Sequence, residues 1–307
     1  MIEIQSLGSL DTPDLENVLQ TKSWVDVTAP TPFELVRIAR LLKLDIEDLQ
    51  DCLDLEEHPR FELEEDHSFF VLRIPLQKAE RDSPSTVTFP IGFFFSNTFL
   101  VTVHARPLRF LTEKPRRRLK IQLDTPSRFL QYLIQRITRE FQKALDSVEA
   151  DVNELQEDVL TSSRPDSLPS LFLAIKVLVY LNSAILADLK TIGDIRRHSR
   201  DSEWRDTLED LEIDLRQVSE MINIQREILT STMDAYASAI SNNLSVVMKV
   251  LASISLVLMI PTLLASLYGM NVELPLSESS NAFWIVFGFG AILSLLSVAL
   301  LWWQEWI

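Results

Sequence analysis

Two long apolar runs near the C-terminus limit most strongly what this chain can fold into. Residues 250–272 contain no charged side chain, and residues 279–304 form a second uncharged run. As a helix, a run of about 23 residues is roughly 34 Å long, which is enough to cross a hydrocarbon core of about 30 Å. The sequence therefore predicts two transmembrane helices, at about 247–268 and about 281–303. The alternative is a helical pair buried inside a soluble protein.

The segment between the runs, residues 269–280, is too short for a domain and is predicted to be a tight hairpin. It contains Glu273 and Glu278 but no Lys or Arg, whereas Lys249 stands just before the first span. Because basic residues collect on the cytoplasmic side, we expect the hairpin outside the cell membrane and both termini in the cytoplasm. The tryptophans of LWWQEWI at the C-terminus support a membrane location, since indole rings collect at the headgroup level.

The composition argues against several classes of function. The chain has 44 Asp and Glu against 29 Lys and Arg, so a nucleic-acid partner is not expected. It has six glycines, without a phosphate-binding glycine loop, and no Ser-His-Asp or metal-hydrolase spacing, so no enzymatic activity is expected. The first twenty residues are polar and acidic, and a cleaved signal peptide is not expected.

Residues 1–125 are predicted to form a cytoplasmic α/β domain, because β-rich segments flank a stretch with helical spacing at 30–44. From residue 126 the pattern changes to long helices, so 126–245 is predicted to be a helical stalk and 246–307 the transmembrane region. The third long helix starts near 201 and would be about 100 Å long if it ran unbroken to Tyr268. The β-rich segments are SWVDVTA, SFFVLRIPL, STVTFPIGFFF and TFLVTVHA.

A polar stripe runs along this third helix where a soluble coiled coil would carry an apolar seam. On a seven-residue repeat, its a and d positions are small, hydroxyl or thioether residues, and the bulky aliphatic residues lie elsewhere. One explanation is close helix packing at small residues. The other is that several copies face a common axis and line a narrow, partly wet path, which requires a ring of identical subunits. The polar stripe consists of Asp234, Ser238, Ser241, Ser245, Met248, Ala252, Ser255, Met259, Thr262 and Ser266.

The tetrapeptide YGMN at 268–271 stands at the outer end of the first of the two spans, and in that position it resembles the CorA family of divalent-cation channels. The resemblance extends over the whole chain, from the α/β domain and stalk to the short acidic hairpin and the final span. It implies an α+β membrane protein that assembles as a pentameric funnel, a homopentamer whose first spans surround the pore. It also implies passive transport of Mg²⁺, with Co²⁺ and Ni²⁺ as further cargo.

The resemblance assigns roles to residues along the pore helix. Gly269, Met270 and Asn271 correspond to the selectivity filter, where a ring of neutral amides would accept a hydrated ion without holding it as a carboxylate ring would. Glu273 and Glu278 would concentrate cations at the entrance, or they are ordinary solvated charges. The pore-lining positions, from the resemblance and the polar stripe together, are Asp234, Ser245, Met248, Leu251, Ser255, Met259 and Thr262, with Met248 and Leu251 as a hydrophobic gate.

The resemblance also implies a cytoplasmic Mg²⁺ sensor between subunits. One carboxylate maps to Asp51 in LQDCLDLEEHPRFE, upstream of Pro59 and Arg60. Its partner maps to Asp210 on the stalk helix, with Asp206 as a rival. A dication between two carboxylates would hold neighbouring subunits together, and its loss would allow opening. Mg²⁺ is thus expected as both the transported and the regulatory ion.

The chain departs from the family pattern at two places, and two other functions remain as alternatives. Some relatives carry Asn where this chain has Ser245, and relatives often end in a basic cluster where this chain ends LWWQEWI. The runner-up function is transport of zinc or another transition metal on the same fold. Met270 favours magnesium, because zinc-transporting relatives tend to carry Ile there. A non-conducting, membrane-anchored scaffold is the third reading, and it would require an apolar seam through the first span.

Overall fold

The structure is a computed structural model that describes residues 2–7, 18, 22–77, 87–108, 111, 123–162, 167–199, 201–271, 275, 281–304 and 306. The chain divides into two compact units, Met1–Ser231 and Thr232–Ile307. The elements in chain order are β1 (Ile2–Ser6), β2 (Ser23–Thr28), α1 (Pro32–Leu42), α2 (Ile46–Asp51), β3 (Arg60–Leu63), β4 (Ser68–Pro75), β5 (Thr88–Phe95), β6 (Phe99–His104), α3 (Pro126–Ser162), α4 (Ser167–His198), α5 (Ser202–Tyr268) and α6 (Ala282–Trp303).

The strands of the first unit form one sheet in the order β1-β2-β6-β5-β4-β3. Strands β2 and β6 are parallel, and every other neighbouring pair is antiparallel. The four β-rich segments of the sequence correspond to β2, β4, β5 and β6, so those strand predictions are confirmed. The sequence analysis missed β1 and β3, which are the two edge strands; β3 reads RFEL, is half-buried at best, and lacks an apolar run.

Side chains along the central strands alternate between the two faces of the sheet. Phe69 and Val71 in β4, with Phe94 in β5, join a buried core cluster that includes residues of α1 and α2. Phe70 and Phe93 alternate with them and stack on the opposite face, with ring centroids 4.9 Å apart. Helices α3 and α4 also pack against β4. The sheet is therefore covered by helices and holds an aromatic core.

Short-range signals fix α1 and α2 in front of this sheet. Thr31 accepts a hydrogen bond from the backbone N–H of Glu34, whose carboxylate accepts the backbone N–H of Thr31 at 2.8 Å, which makes a capping box. Lys43 ends α1 in the left-handed conformation, with φ of 55°. Asp45 then caps α2 by accepting a backbone N–H of its first turn at 2.8 Å. Helix α2 therefore begins directly after Asp45, and it ends at Asp51.

Cys52 follows α2 and packs directly against β5. A Cβ atom on Gly92 would lie 1.9 Å from the Cys52 Sγ atom, so only glycine fits at that point of the strand. Burial raises the pKa of the Cys52 thiol well above its ordinary value. Cys52 is therefore a core residue without thiolate reactivity.

The long helices of the sequence prediction are present, and α5 continues through Pro261 to Tyr268 as expected. By length and composition, three helices of the described chain could cross a membrane, namely α5, α6 and Pro169–His198 of α4. The sequence analysis predicted two.

Helix α4 owes its apolar character to the sheet. Leu178, Leu181 and Ile185 are fully buried in the first unit. Asp188 on the same helix accepts a hydrogen bond from the backbone N–H of Arg73 in β4, at 2.8 Å. The helix thus belongs to the α/β unit, and the two predicted spans correspond to the C-terminal part of α5 and to α6.

Candidate ion path and regulatory carboxylates

The YGMN tetrapeptide begins at the last residue of α5. The backbone N–H of Gly269 donates to the carbonyl of Ala265 at 3.0 Å, and that of Met270 donates to the carbonyl of Leu267 at 3.2 Å, so the helix tightens as it ends. Gly269 does not have the left-handed conformation common at helix ends. Its constraint is steric, since a Cβ atom would lie only 3.3 Å from the carbonyl oxygen of Ala265. Asn271 follows this turn and is exposed.

Tyr268 ties the end of α5 to the hairpin. Its hydroxyl donates a hydrogen bond to the carbonyl of Pro275 at 3.1 Å. This bond joins the last residue of α5 to Pro275, four residues after Asn271. Glu273 and Glu278 themselves lie outside the described residues.

Helix α6 packs on one face of α5 within the second unit. The buried or half-buried residues of the span are Val250, Ser253, Val257, Ile260 and Leu264, at alternating steps of three and four. A Cβ atom on Gly290 of α6 would lie 3.1 Å from the Leu264 side chain, so the two helices meet closely there. We call these five residues the α6-facing side of α5.

The polar stripe lies on the other side of the same helix. Successive helical residues are about 100° apart, so the stripe is about 150° around the helix from the α6-facing side. Packing against α6 therefore does not account for the small residues of the stripe. Its members are all exposed in the single chain, and so is Leu251 on its flank. The predicted lining residues that it brings to one side are Asp234, Ser245, Met248, Ser255, Met259 and Thr262.

Three hydroxyl groups of the stripe share one orientation. Ser245 donates to the carbonyl of Ser241 at 2.9 Å, Ser255 to that of Leu251 at 2.9 Å, and Thr262 to that of Leu258 at 2.7 Å. Each hydroxyl proton is thereby directed at the helix backbone four residues earlier. The oxygen lone pairs remain to accept from water or to face a cation.

Asp51, the first predicted regulatory residue, is the last residue of α2 and is paired with a cation of its own chain. Its Oδ2 atom lies 2.8 Å from Nη2 of Arg60. Asp48, one turn earlier in α2, lies 3.4 Å from the same nitrogen. Burial, reinforced by the nearby charge of Glu62, raises the pKa of Asp48 to about 6.

Asp210, the second predicted regulatory residue, lies on α5 and is exposed, as is its rival Asp206. Within the part of the chain that the structure describes, neither carboxylate lies in a group of side chains that would mark it as a metal ligand. Within the described ranges, no group of three or more His, Cys, Asp or Glu side chains is arranged to hold a metal ion in one chain. Asp51 and Asp210 are therefore not members of such a group among the described residues of one chain.

The sequence analysis missed two features of these sites. It did not identify the α6-facing side of α5, for which the small residue Gly290 was the available signal. It also used Arg60 only to locate Asp51, although the guanidinium contacts that carboxylate directly. A separation of nine residues in the sequence does not show whether Arg60 and Asp51 are close in space. They are close because β3 brings Arg60 back beside α2.

A family model described as CorA-like Mg²⁺ transporter protein matches residues 20–303. The chain belongs to the CorA family. The match covers strands β2 to β6, the long helices and both apolar spans, so the resemblance carried by YGMN is confirmed. As a CorA protein the chain is a transporter and not an enzyme.

Individual CorA proteins align with almost the full chain. The cobalt/magnesium transport protein CorA of Methanocaldococcus jannaschii is 27% identical, over all of this chain and 99% of its own length. The cobalt/magnesium transport protein CorA of Thermotoga maritima is 22% identical, over 88% of this chain and 80% of its own length.

A solved structure of the M. jannaschii CorA magnesium transporter has the same fold. It superimposes with a TM-score of 0.87 at 23% identity, covering 100% of this chain and 99% of that one. The predicted fold class is therefore confirmed for one subunit: an α+β membrane protein with an N-terminal α/β domain, long helices and two C-terminal apolar helices.

Proposed function

We propose that this protein is a passive Mg²⁺ channel of the cell membrane that also admits Co²⁺ and Ni²⁺. Five identical chains form a ring around a path lined by α5, with both termini in the cytoplasm and the hairpin outside. Residues 1–125 are the cytoplasmic domain, 126–245 the stalk and 246–307 the transmembrane region. The names of the M. jannaschii and T. maritima relatives support magnesium and cobalt as cargo.

The observation that carries this proposal is the separation of two faces on one helix. The α6-facing side of α5 is covered, and the polar stripe lies about 150° away. Polar residues within a span are expected to face a cavity or a partner rather than lipid. One helix cannot enclose a path, so the polar residues of the stripe avoid lipid when copies of α5 surround a common axis.

The chemistry of the stripe suits a hydrated cation. Ser245, Ser255 and Thr262 direct their protons to the backbone and present oxygen to the axis. Met248 and Leu251 form an apolar constriction that closes the path by excluding water. Asp234 adds one carboxylate per chain nearer the cytoplasm.

Gly269, Met270 and Asn271 form the selectivity filter at the outer end. Mg²⁺ loses its water reluctantly and usually keeps several water ligands in proteins. A ring of Asn271 amide oxygens accepts the protons of that hydration shell and adds no formal charge, so the ion can leave again. The hydrogen bond from Tyr268 to Pro275 helps to hold the loop in position.

Glu273 and Glu278 add two carboxylates per chain beside the entrance. Multiplied by the ring, they raise the local cation concentration, an effect that salt screens. Alternatively, they are ordinary solvated charges of the hairpin. Measuring Mg²⁺ flux at low and high ionic strength distinguishes these two roles, because salt screens the attraction of cations to the entrance.

Cytoplasmic Mg²⁺ closes the channel by binding between Asp51 of one chain and Asp210 of the next, with Asp206 as the rival ligand. The exposed position of Asp210 on α5 supports a ligand that is completed by a second copy. The dication removes the repulsion between carboxylates across the interface and stabilises the closed ring. Mg²⁺ is thus both cargo and regulator.

The filter is tested by Asn271→Ala in purified protein reconstituted into liposomes. We expect Mg²⁺ flux to be lost while the oligomer keeps its size, because the change removes the amide and nothing on the helix. Asn243→Ala, which changes an exposed amide of α5 away from the stripe, is the matched control and should conduct as the unmodified protein does. Full flux through Asn271→Ala would remove the filter assignment.

Transport of zinc or another transition metal is not favoured. Softer metals prefer His and Cys ligands, and the described part of the chain has no such cluster. A flux series over Mg²⁺, Co²⁺, Ni²⁺ and Zn²⁺ with the same liposomes ranks the ions directly.

A further inference from the structure

Arg60 stands at the start of β3 with its guanidinium group among acidic side chains from α2, from the following loop and from β3 itself. Nη2 lies 2.8 Å from Asp51 and 3.4 Å from Asp48, and Nε lies 2.7 Å from Glu62. Nη1 pairs with Glu57. One fixed cation thus serves four carboxylates, and the group keeps an excess of negative charge.

The guanidinium is held in place from a second direction. It lies over the ring of Phe69, 5.1 Å from the ring centroid, and the side chain is only 29% exposed. Such a cation–π contact fixes orientation as well as position. Because arginine does not lose its proton in proteins, this charge is permanent.

We propose that Arg60 is a tethered competitor of Mg²⁺ at Asp51 and thereby sets the Mg²⁺ concentration at which the channel closes. This inference rests on the regulatory role proposed above for Asp51. A magnesium ion that binds Asp51 either takes the oxygen that Nη2 occupies or binds the other oxygen close to the guanidinium. The first route breaks an ion pair and the second places two cations side by side, so both lower the affinity for Mg²⁺.

The remaining acidic groups allow this competition to be reversible. When Mg²⁺ occupies Asp51, Arg60 keeps Glu57 and Glu62 as partners. When Mg²⁺ leaves, Nη2 of Arg60 again neutralises Asp51. The carboxylate therefore has a counter-ion in both states, and the strength of that counter-ion determines the threshold for closure.

The experiment measures the cytoplasmic-side Mg²⁺ concentration that halves flux through the full-length protein in liposomes. We expect Arg60→Gln to lower this midpoint by at least about fivefold, the lower end of usual coupling between sites. Arg60→Lys keeps the charge but loses the planar fork, and it should lower the midpoint by less. Arg37→Gln removes an exposed charge from α1 and is the matched control, with an unchanged midpoint.

The variant Asp51→Asn distinguishes a failure of competition by Arg60 from a failure of the regulatory role proposed for Asp51. Asp51→Asn should raise the midpoint, and adding Arg60→Gln to it should produce no further shift. If Asp51→Asn raises the midpoint while Arg60→Gln leaves it equal or higher, competition by Arg60 is wrong and the role of Asp51 stands. If Asp51→Asn has no effect, the regulatory assignment fails and the inference fails with it. Should Arg60→Gln not fold, an unchanged midpoint in Arg60→Lys overturns the inference.

Discussion

Gly290 on α6 lies against Leu264 on α5, and a Cβ atom on the glycine would come within 3.1 Å of the Leu264 Cδ1 atom. This contact fixes which side of α5 is covered by the neighbouring helix of its own chain. The polar stripe lies on the opposite side and is exposed. The proposed path therefore depends on a helix contact between a glycine and an apolar side chain.

Gly290→Val tests that contact. The larger side chain has to push the helices apart or distort Leu264, which typically costs about 1–3 kcal/mol. We expect a lower unfolding temperature for the detergent-solubilised protein. Gly288→Val is the matched control on the same helix, because a Cβ at Gly288 meets nothing within 4 Å. Equal effects of the two changes would show that the close approach at Gly290 does not stabilise the pair.

Asp188 provides a prediction for the α/β unit. Its Oδ1 atom accepts the backbone N–H of Arg73, and burial raises its pKa well above the ordinary value, which favours the neutral acid. Asp188→Asn keeps a carbonyl oxygen and should change thermal stability little. Asp188→Leu leaves the N–H of Arg73 unsatisfied and should cost about 1–3 kcal/mol. Thermal unfolding that ranks the Asn variant as the less stable one would contradict this account.

The raised pKa of Asp48 predicts that the stability of the folded protein depends on pH. Its pKa is about 6 in the folded chain and 3.8 ordinarily, so the folded state binds the proton more tightly than the unfolded state does. The contribution of Asp48 is therefore most favourable below about pH 4, and it declines as the pH rises to about 6.

Asp48→Asn should flatten that part of the stability profile. The measurement is the unfolding temperature between pH 4 and 7 in Mg²⁺-free buffer. Asp146→Asn, at an exposed position of α3, should leave the profile unchanged. Identical profiles for Asp48→Asn and the unmodified protein would rule out a raised pKa at this carboxyl.

Much of the fold could be predicted from local pattern, because the elements concerned carry a strong one. Strands β4, β5 and β6 are continuous apolar runs, and α3 to α6 are long enough for periodicity to dominate. Strands β1 and β3 and helix α2 are only four to six residues long. The two strands depend on pairing with the sheet, and α2 depends on the cap at Asp45, which single segments do not reveal.

The candidate site also has parts that could be predicted from the sequence and parts that could not. The common side of the stripe residues and the position of Asn271 after the end of α5 could be predicted, since both follow from spacing along one helix and from a motif at its end. The side of α5 that contacts α6 could not, because all the faces of this helix outside the stripe are largely apolar. The pairing of Arg60 with Asp51 could not be predicted either, since a turn and a strand pairing bring the two together.

Cysteine accessibility tests the central claim most directly. The single native cysteine, Cys52, is buried, so a new cysteine on α5 can be labelled against a low background. Ser255→Cys places a thiol on the polar stripe, and Ser253→Cys places one on the α6-facing side. We expect a water-soluble thiol reagent to modify Ser255→Cys and block Mg²⁺ flux, and to leave Ser253→Cys unmodified and conducting. Flux that persists through a fully modified Ser255→Cys protein, or a Ser255→Cys thiol that stays inert in a conducting protein, would contradict an ion path along the stripe.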